Sequence, residues 1–177
     1  GTDIIILSDE VYEHILFDGY EHQSVARFPK LAERSLLIYS FGKTLHATGW
    51  KIGYVLGAKN LMKEFRKVHQ FQVFAVNHPI QHALADFISN EKNYKQISSV
   101  YEQKRDFFLD ALKSSRFKFS PTPGTYFQLL DYSTITDEND VKFAERLTKE
   151  FKVSAIPVSV FYHRSLDKKV LRFCFAK

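Results

Sequence analysis

Short apolar runs alternate with amphipathic stretches in the first half of the chain. Residues 4–7, 36–41 and 52–56 are runs of mostly aliphatic, β-branched and aromatic residues. Runs of this length without regular polar alternation predict strands that are buried on both faces, as in parallel sheets. Between the first two runs, residues 28–33 indicate a helical crossover or a surface loop. The pattern therefore favours an α/β arrangement.

Helical periodicity begins near residue 60. Apolar residues recur there at steps of three and four, at Leu61, Phe65, Val68 and Phe71. Pro79 suits the first turn of a second helix, because a helix leaves its first N–H groups unbonded. Residues 94–112 predict a third helix with a charged outer face, and this helix is expected to link two domains.

The second half of the chain predicts a small α+β layer. Strand-like runs occupy residues 117–119, 126–130, 153–156 and 170–175. One helix face is formed by Val141, Ala144, Leu147 and Phe151. Since the composition changes after residue 115, we expect one domain over 1–115 and another over 116–177.

Composition and charge exclude several kinds of protein. The 177 residues are 45% hydrophobic and 25% charged, which is typical of a globular chain with one domain or two small ones. The 17 Phe and 9 Tyr residues predict a core dominated by aromatic side chains. The net charge is +5, but acidic residues interrupt the basic ones. A solvated basic face is therefore favoured over a nucleic-acid site.

Cysteine usage and hydropathy favour a cytoplasmic location. Cys174 is the only cysteine, so no intrachain disulfide can form and a reducing compartment fits. No apolar stretch approaches the ~18 residues of a membrane span, and the N-terminus lacks the pattern of a signal peptide. The chain starts almost directly in a strand-like run and without Met, which predicts an interior fragment.

Two polar motifs follow predicted strands and carry the candidate chemistry. Lys43 lies in the segment 40–44, Ser-Phe-Gly-Lys-Thr, and Asp9 lies in the segment 8–12, Ser-Asp-Glu-Val-Tyr. A lysine amine at the end of a sheet can form a Schiff base with an aldehyde cofactor. A neighbouring aspartate can keep a cofactor ring nitrogen protonated. Taken singly, Asp9 suits a helix cap, Lys43 an exposed charge and Tyr12 a packing aromatic.

Together, these motifs and their spacing resemble class I/II aminotransferases of the aspartate aminotransferase fold. The resemblance is strongest to the methionine and kynurenine aminotransferases and covers about residues 4–177. It implies an α/β fold, with residues 1–115 forming part of the large domain that binds pyridoxal 5′-phosphate (PLP), a mostly parallel sheet with helices. Residues 116–177 would form an incomplete, small α+β C-terminal domain. The chain would be the C-terminal portion of such an enzyme.

The resemblance assigns a role to each residue of the cofactor site. It implies that Asp9 pairs with the pyridine nitrogen and that Tyr12 bonds the phenolic oxygen of PLP. It implies that Lys43 is the catalytic Schiff-base lysine, and that Ser40 and Lys51 bind the phosphate. Many relatives carry Arg at the position of Lys51, and Lys offers a point charge instead of a two-pronged fork.

Arg172 is the implied substrate-binding residue. It lies in an apolar strand, where a charged side chain needs a partner. The resemblance implies a bidentate clamp on the substrate α-carboxylate, and the alternative is an internal ion pair. Segments 123–127 and 156–161 match the family's substrate side-chain pocket, although packing alone also explains them.

The implied activity is transfer of an amino group between an amino acid and a 2-oxo acid. Methionine, aromatic amino acids or kynurenine are the expected donors, and the parent protein is expected to be a homodimer without nucleic-acid or membrane partners. Three alternatives stay open: a PLP-dependent β-lyase acting on cysteine conjugates, the aminotransferase-like sensor domain of a transcription regulator, and an inert piece. We expect this chain alone to be inactive.

Two further patterns resemble binding motifs but are incomplete. Gly42-Lys43-Thr44 mimics the end of a nucleotide phosphate loop, but that motif requires glycine where Leu37 stands. His78 and His82 are spaced to share a helix face. Without a third ligand in register they favour a structural pair, so no metal site is predicted.

Overall fold

A computed structural model of the chain describes residues 2–176, and these form two compact units. The first unit ends at Ser98 and the second begins at Ser99. The strands are β1 Ile6–Asp9, β2 Ser35–Ser40, β3 Gly53–Gly57, β4 Phe127–Asp131, β5 Ile156–Pro157 and β6 Val170–Cys174. The α-helices are α1 Pro29–Ala32, α2 Phe41–Thr44, α3 Lys59–Gln72, α4 His78–Ile88, α5 Lys92–Lys95, α6 Ile97–Leu112 and α7 Asp140–Phe151.

The first unit is built on a three-stranded sheet in the order β1-β2-β3. β1 and β2 are parallel, and β3 is antiparallel to β2. A parallel pair needs a long crossover, which residues 10–34 supply and which contains α1. The predicted α/β class and the three predicted strands are therefore confirmed, with one parallel and one antiparallel pairing.

The burial of these strands differs from the sequence prediction. β2 is the central strand, and Leu37 and Tyr39 are buried on one of its faces. β1 lies at the edge of the sheet and alternates between half-buried and exposed residues. Leu7 is 68% exposed, so the prediction that this run is buried on both faces is wrong for β1. Among residues 2–176, no strand pairs with its outer side.

The helices of the first unit follow the predicted periodicity. Asn77 caps α4 by accepting a hydrogen bond from the Ile80 amide at 3.2 Å, and Pro79 lies in the first turn as expected. The apolar stripe of α3 is only partly buried, because Phe71 is 87% exposed. The helix predicted over 94–112 is divided in two, since α5 ends at Lys95 and α6 starts at Ile97.

The second unit is an antiparallel sheet in the order β4-β6-β5, covered by helices. Its predicted α+β character is confirmed. Asn139 caps α7 by accepting the Lys142 amide at 2.9 Å, and the Phe143 ring packs 4.6 Å from the Tyr132 ring, centroid to centroid. The core consists of aromatic and aliphatic side chains from both layers: Leu130, Tyr132, Phe143, Ala144, Leu171 and Phe173.

Most of α6 packs with the second unit. Arg105 is buried and donates from Nη1 to the Thr122 carbonyl at 2.9 Å. The Phe108 ring lies 6.3 Å from that of Phe173. Along the chain, the boundary between the compact units therefore lies near the start of α6, whereas the sequence predicted a domain boundary after residue 115. The assignment of 1–115 and 116–177 as evolutionary domains stays a prediction.

Helix length and composition also bear on membrane insertion. Across residues 2–176, every helix is too short or too polar to cross a bilayer.

Candidate active site

The carboxyl ends of β1 and β2 meet at one edge of the first sheet. In this parallel pair Asp9 lies opposite Ile38, and β2 continues to Ser40. β3 runs back from the same edge, where Gly53 pairs with Ser40. Lys51 comes shortly before Gly53, so it precedes β3 at this edge as well. In open α/β sheets, ligands bind outside the carboxyl ends of the strands.

Lys43 lies on a tight turn that follows β2 directly. It belongs to the four-residue helix α2, which begins immediately after Ser40. A side chain at Gly42 would bring its Cβ to 3.0 Å from the Thr48 Cα, so only glycine fits without a shift. The Thr48 hydroxyl donates to the Gly42 carbonyl at 3.0 Å, and the Phe41 amide donates to the Ile52 carbonyl at 3.2 Å. These bonds hold the lysine-bearing segment against the start of β3.

Asp9 and Tyr12 lie on the turn that follows β1. The Val11 amide donates to Asp9 Oδ1 at 3.3 Å, which bends the chain as it leaves the strand. The Ile15 amide then donates to the Tyr12 carbonyl at 2.9 Å, and Tyr12 itself is half-buried. Asp9 is exposed, so its carboxylate is accessible to a ligand.

Lys51 adopts a left-handed backbone conformation, with φ of 53° and ψ of 44°. Residues other than glycine rarely adopt this conformation, which costs roughly 1–3 kcal/mol and is concentrated at functional sites. Lys51 follows the short 3-10 helix Thr48–Trp50 and is exposed. The phosphate-binding role of Lys51 stays a prediction.

Glu10 is a residue that the sequence analysis missed. Its buried carboxylate accepts hydrogen bonds from the Ser8 hydroxyl at 2.9 Å, the Val25 amide at 3.0 Å and the Tyr39 hydroxyl at 2.9 Å. The His22 Nε2 atom lies 2.9 Å from Glu10 Oε2. One side chain thus joins the end of β1, the crossover segment and β2. We call these five residues the Glu10 network.

Electrostatics keep Glu10 ionised. Burial alone raises the pKa of its carboxyl group, but hydrogen bonds from Ser24, His22, the Val25 amide and Tyr39 outweigh burial and lower it to about 2. One feature of the sequence indicates that Glu10 is buried and hydrogen-bonded. Glu10 continues the half-buried side of β1 that contains Ile6 and Ser8, a side on which a carboxylate needs partners.

Two stacked tyrosines extend this arrangement across the sheet. The Tyr39 and Tyr54 rings lie 4.7 Å apart, and the Tyr54 hydroxyl donates to Glu13 Oε1 at 3.0 Å. Burial, followed by the hydrogen bond to Glu10, raises the pKa of Tyr39 to about 12. Both phenols are therefore neutral donors at neutral pH. Through Glu10 and Glu13, the two hydroxyl groups connect the turn after β1 to β2 and to β3, respectively.

A cavity of about 190 Å³ opens beside Ser40. Of the predicted site residues, only Ser40 contributes to its lining. The lining consists of Glu13, His14, Ser40, Phe41, Thr44, Leu45, Tyr54, Ile88 and Tyr94. The predicted cofactor residues thus lie along the edge of the sheet, and most of them do not line this cavity.

Arg172 lies in the middle of β6 in the second unit. Its guanidinium carbon is 4.7 Å from the centre of the Phe127 ring and 5.1 Å from that of Phe161. Within residues 2–176 it forms no ion pair with a carboxylate, so the alternative of an internal ion pair is not found in this structure. The two rings come from the segments 123–127 and 156–161, which were predicted to frame a substrate pocket.

Comparison with known proteins identifies the family of this chain. The family model for aminotransferase class I and II matches residues 2–177. The chain is 47% identical to the methionine aminotransferase of Escherichia coli over 178 residues and 36% identical to kynurenine–oxoglutarate transaminase 1 of mouse over 198 residues. These matches cover 100% and 99% of this chain, respectively.

Solved structures show the same fold. The structure of YbdL from Escherichia coli, described as having a methionine aminotransferase function, superposes with a TM-score of 0.93 at 47% identity. N-succinyldiaminopimelate aminotransferase from Mycobacterium tuberculosis superposes with a TM-score of 0.91 at 30% identity. Each superposition covers 98% of this chain and 46% of the other.

The chain spans about half the length of the relatives it matches, 46% of each of the two curated proteins. The prediction that this share is the C-terminal portion is not confirmed by these matches. The family assignment does not depend on it, because the family model covers the described residues and the fold agrees. The chain belongs to the class I and II aminotransferase family.

Proposed function

We propose that the chain carries the cofactor lysine of a PLP-dependent aminotransferase. The observation that supports this most strongly is the sheet edge at which Asp9, Ser40, Lys43 and Lys51 are all placed by neighbouring strand ends. Their chemistry fits PLP group by group. An amine suits its aldehyde, a carboxylate its ring nitrogen, and a hydroxyl with an ammonium its phosphate.

Each side chain then has a defined task. When bound, PLP supplies a protonated ring that withdraws electrons from the substrate α-carbon. Asp9 holds the proton on the ring nitrogen, and Tyr12 donates its phenolic hydrogen bond to the cofactor oxygen. Ser40 and Lys51 hold the phosphate. Once the substrate amine has replaced it on the cofactor aldehyde, the freed Lys43 Nζ would take the proton from the substrate α-carbon, acting as the general base.

The substrates are an amino acid and a 2-oxo acid. The relatives are named as methionine and kynurenine aminotransferases, and this supports methionine, kynurenine or an aromatic amino acid as the donor. Arg172 would bind the α-carboxylate, since its guanidinium is held between two rings and forms no ion pair with a carboxylate in residues 2–176. The homodimeric state and cytoplasmic location stay predictions.

Borohydride reduction tests the lysine assignment. In the intact protein that contains this chain, we expect the mass of PLP on the peptide that carries Lys43. Lys43→Ala should lose both this adduct and the absorbance of the bound cofactor, whereas Lys63→Ala, on an exposed position of α3, should retain both. An adduct on another lysine would contradict the proposal. A transaminase assay on the 177-residue chain would check its expected inactivity.

Arg172→Lys tests the carboxylate clamp. Lysine keeps the charge but loses the fork and the stacking between two rings, so binding of the amino-acid substrate should weaken by about 1–3 kcal/mol. Steady-state kinetics of the intact enzyme measure KM and kcat separately, and KM should rise about 5- to 150-fold. Arg164→Lys, at an exposed position of the same unit, is the matched control. Unchanged substrate affinity would show that Arg172 contributes to packing and does not bind the substrate carboxylate.

A further inference from the structure

Two histidines that are not among the predicted cofactor or substrate residues are aligned on the exposed side of α4. His78 and His82 lie one helical turn apart and are both exposed. Their Nε2 atoms are 3.3 Å apart, and their ring centroids are 4.5 Å apart with the ring planes at 80°. The two nitrogen atoms therefore lie next to each other above one face of the helix.

The separation of the nitrogen atoms matches that of two ligands on one tetrahedral ion. Zinc–imidazole bonds of about 2.0–2.1 Å at a tetrahedral angle place the nitrogen atoms about 3.3–3.4 Å apart. A square-planar ion with similar bonds would require about 2.8–3.0 Å. The measured 3.3 Å fits the tetrahedral case. It also lies at the long end of the range for hydrogen bonds donated by N–H groups.

The start of α4 holds the two histidines in this arrangement. The Asn77 side chain accepts the Ile80 amide, and Pro79 restricts the backbone of the first turn. Gln81 donates from its side chain to the Val76 carbonyl at 3.1 Å, which ties the turn to the preceding segment. Little backbone freedom is thus left to lose when a ligand binds.

We propose that His78 and His82 bind one Zn²⁺ ion through their Nε2 atoms. Residues 2–176 contain no group of three or more His, Cys, Asp or Glu side chains that could hold a metal ion, so water completes the coordination. The site is open and links the first two turns of α4. It is independent of the aminotransferase activity, and it revises the sequence-based preference for a purely structural pair.

Zinc titration by calorimetry, on tag-free protein without added PLP, tests the site. We expect saturable binding of one ion. His78→Gln and His82→Gln should each weaken it by about tenfold or more, because each removes one of two protein ligands. His163→Gln, an exposed histidine of the second unit, should leave the affinity within about twofold of the original.

Thermal unfolding supplies a second measurement. Zinc should raise the Tm of the original protein, EDTA should reverse the rise, and at the same zinc concentration the rise should be smaller in both histidine variants. The absence of saturable binding, or equal affinity in both variants and the control, would overturn the proposal. The pair would then be a hydrogen-bonded histidine pair only.

Discussion

Glu10→Gln is expected to lower the free energy of unfolding of the first unit by about 2–4 kcal/mol. The carboxylate accepts from Ser8, Val25 and Tyr39 and contacts His22, and its side chain is only 4% exposed. A glutamine side chain offers one acceptor oxygen and turns its NH₂ group toward these donors. Loss of a buried charged acceptor leaves its donors without a partner. This lowers the free energy of unfolding by more than a typical hydrogen bond contributes to it.

Denaturant unfolding of the intact protein, with hydrogen exchange to localise the loss, measures this effect. Protection should fall first at the amides of β1, β2 and the Val25 segment. Glu33→Gln, at an exposed position in the same unit, is the matched control and should change stability by less than about 0.5 kcal/mol. Equal effects of the two substitutions would show that the Glu10 network does not stabilise the unit.

The same carboxylate makes the first unit sensitive to acid. Its pKa falls from the usual 4.5 to about 2 on folding. A carboxyl group with a lowered pKa contributes stability above pH 4.5, and this contribution is lost as the pH falls toward 2. The shift corresponds to about 3 kcal/mol. The Glu10→Gln protein should lack this part of the acid dependence.

Gly53→Ala is expected to destabilise the β2–β3 pair by about 2 kcal/mol or more. A Cβ at this position would overlap the Tyr39 carbonyl oxygen, which belongs to backbone and cannot rotate away. Either β3 shifts or its pairing with Ser40 opens, and overpacking of this kind typically costs about 1–3 kcal/mol. Because Lys51 precedes β3, cofactor affinity of the intact protein should fall as well.

Gly49→Ala provides the matched control for this substitution. A Cβ at Gly49 would meet no atom within 4 Å, so stability and cofactor affinity should change little. Urea unfolding and PLP titration of both variants measure the difference, together with exchange at the Tyr39 and Tyr54 amides. If Gly53→Ala changed stability and PLP affinity as little as Gly49→Ala, close packing of β3 against β2 would not be needed for the stability of this edge or for cofactor binding.

The elements of this chain are largely readable from its sequence, because local periodicity reflects burial. The stripe at Val141, Ala144 and Leu147 predicted a helix, and α7 covers Asp140–Phe151. Pro79 predicted the start of a helix, and α4 begins at His78. The strand-end motifs with Asp9 and Lys43 predicted a shared sheet edge, and parallel pairing of β1 with β2 provides it.

Contacts between distant segments were decided only by the tertiary structure. Glu10 receives its donors from Val25 and Tyr39, and no local pattern specifies those partners. The sequence predicts that Arg172 needs a partner, and the structure places two aromatic rings from separate segments beside its guanidinium. The sequence by itself determined the helices, the strands and the types of residue at their ends. The tertiary structure decided which of these side chains meet, because hydrogen bonds and ring contacts depend on positions that periodicity does not specify.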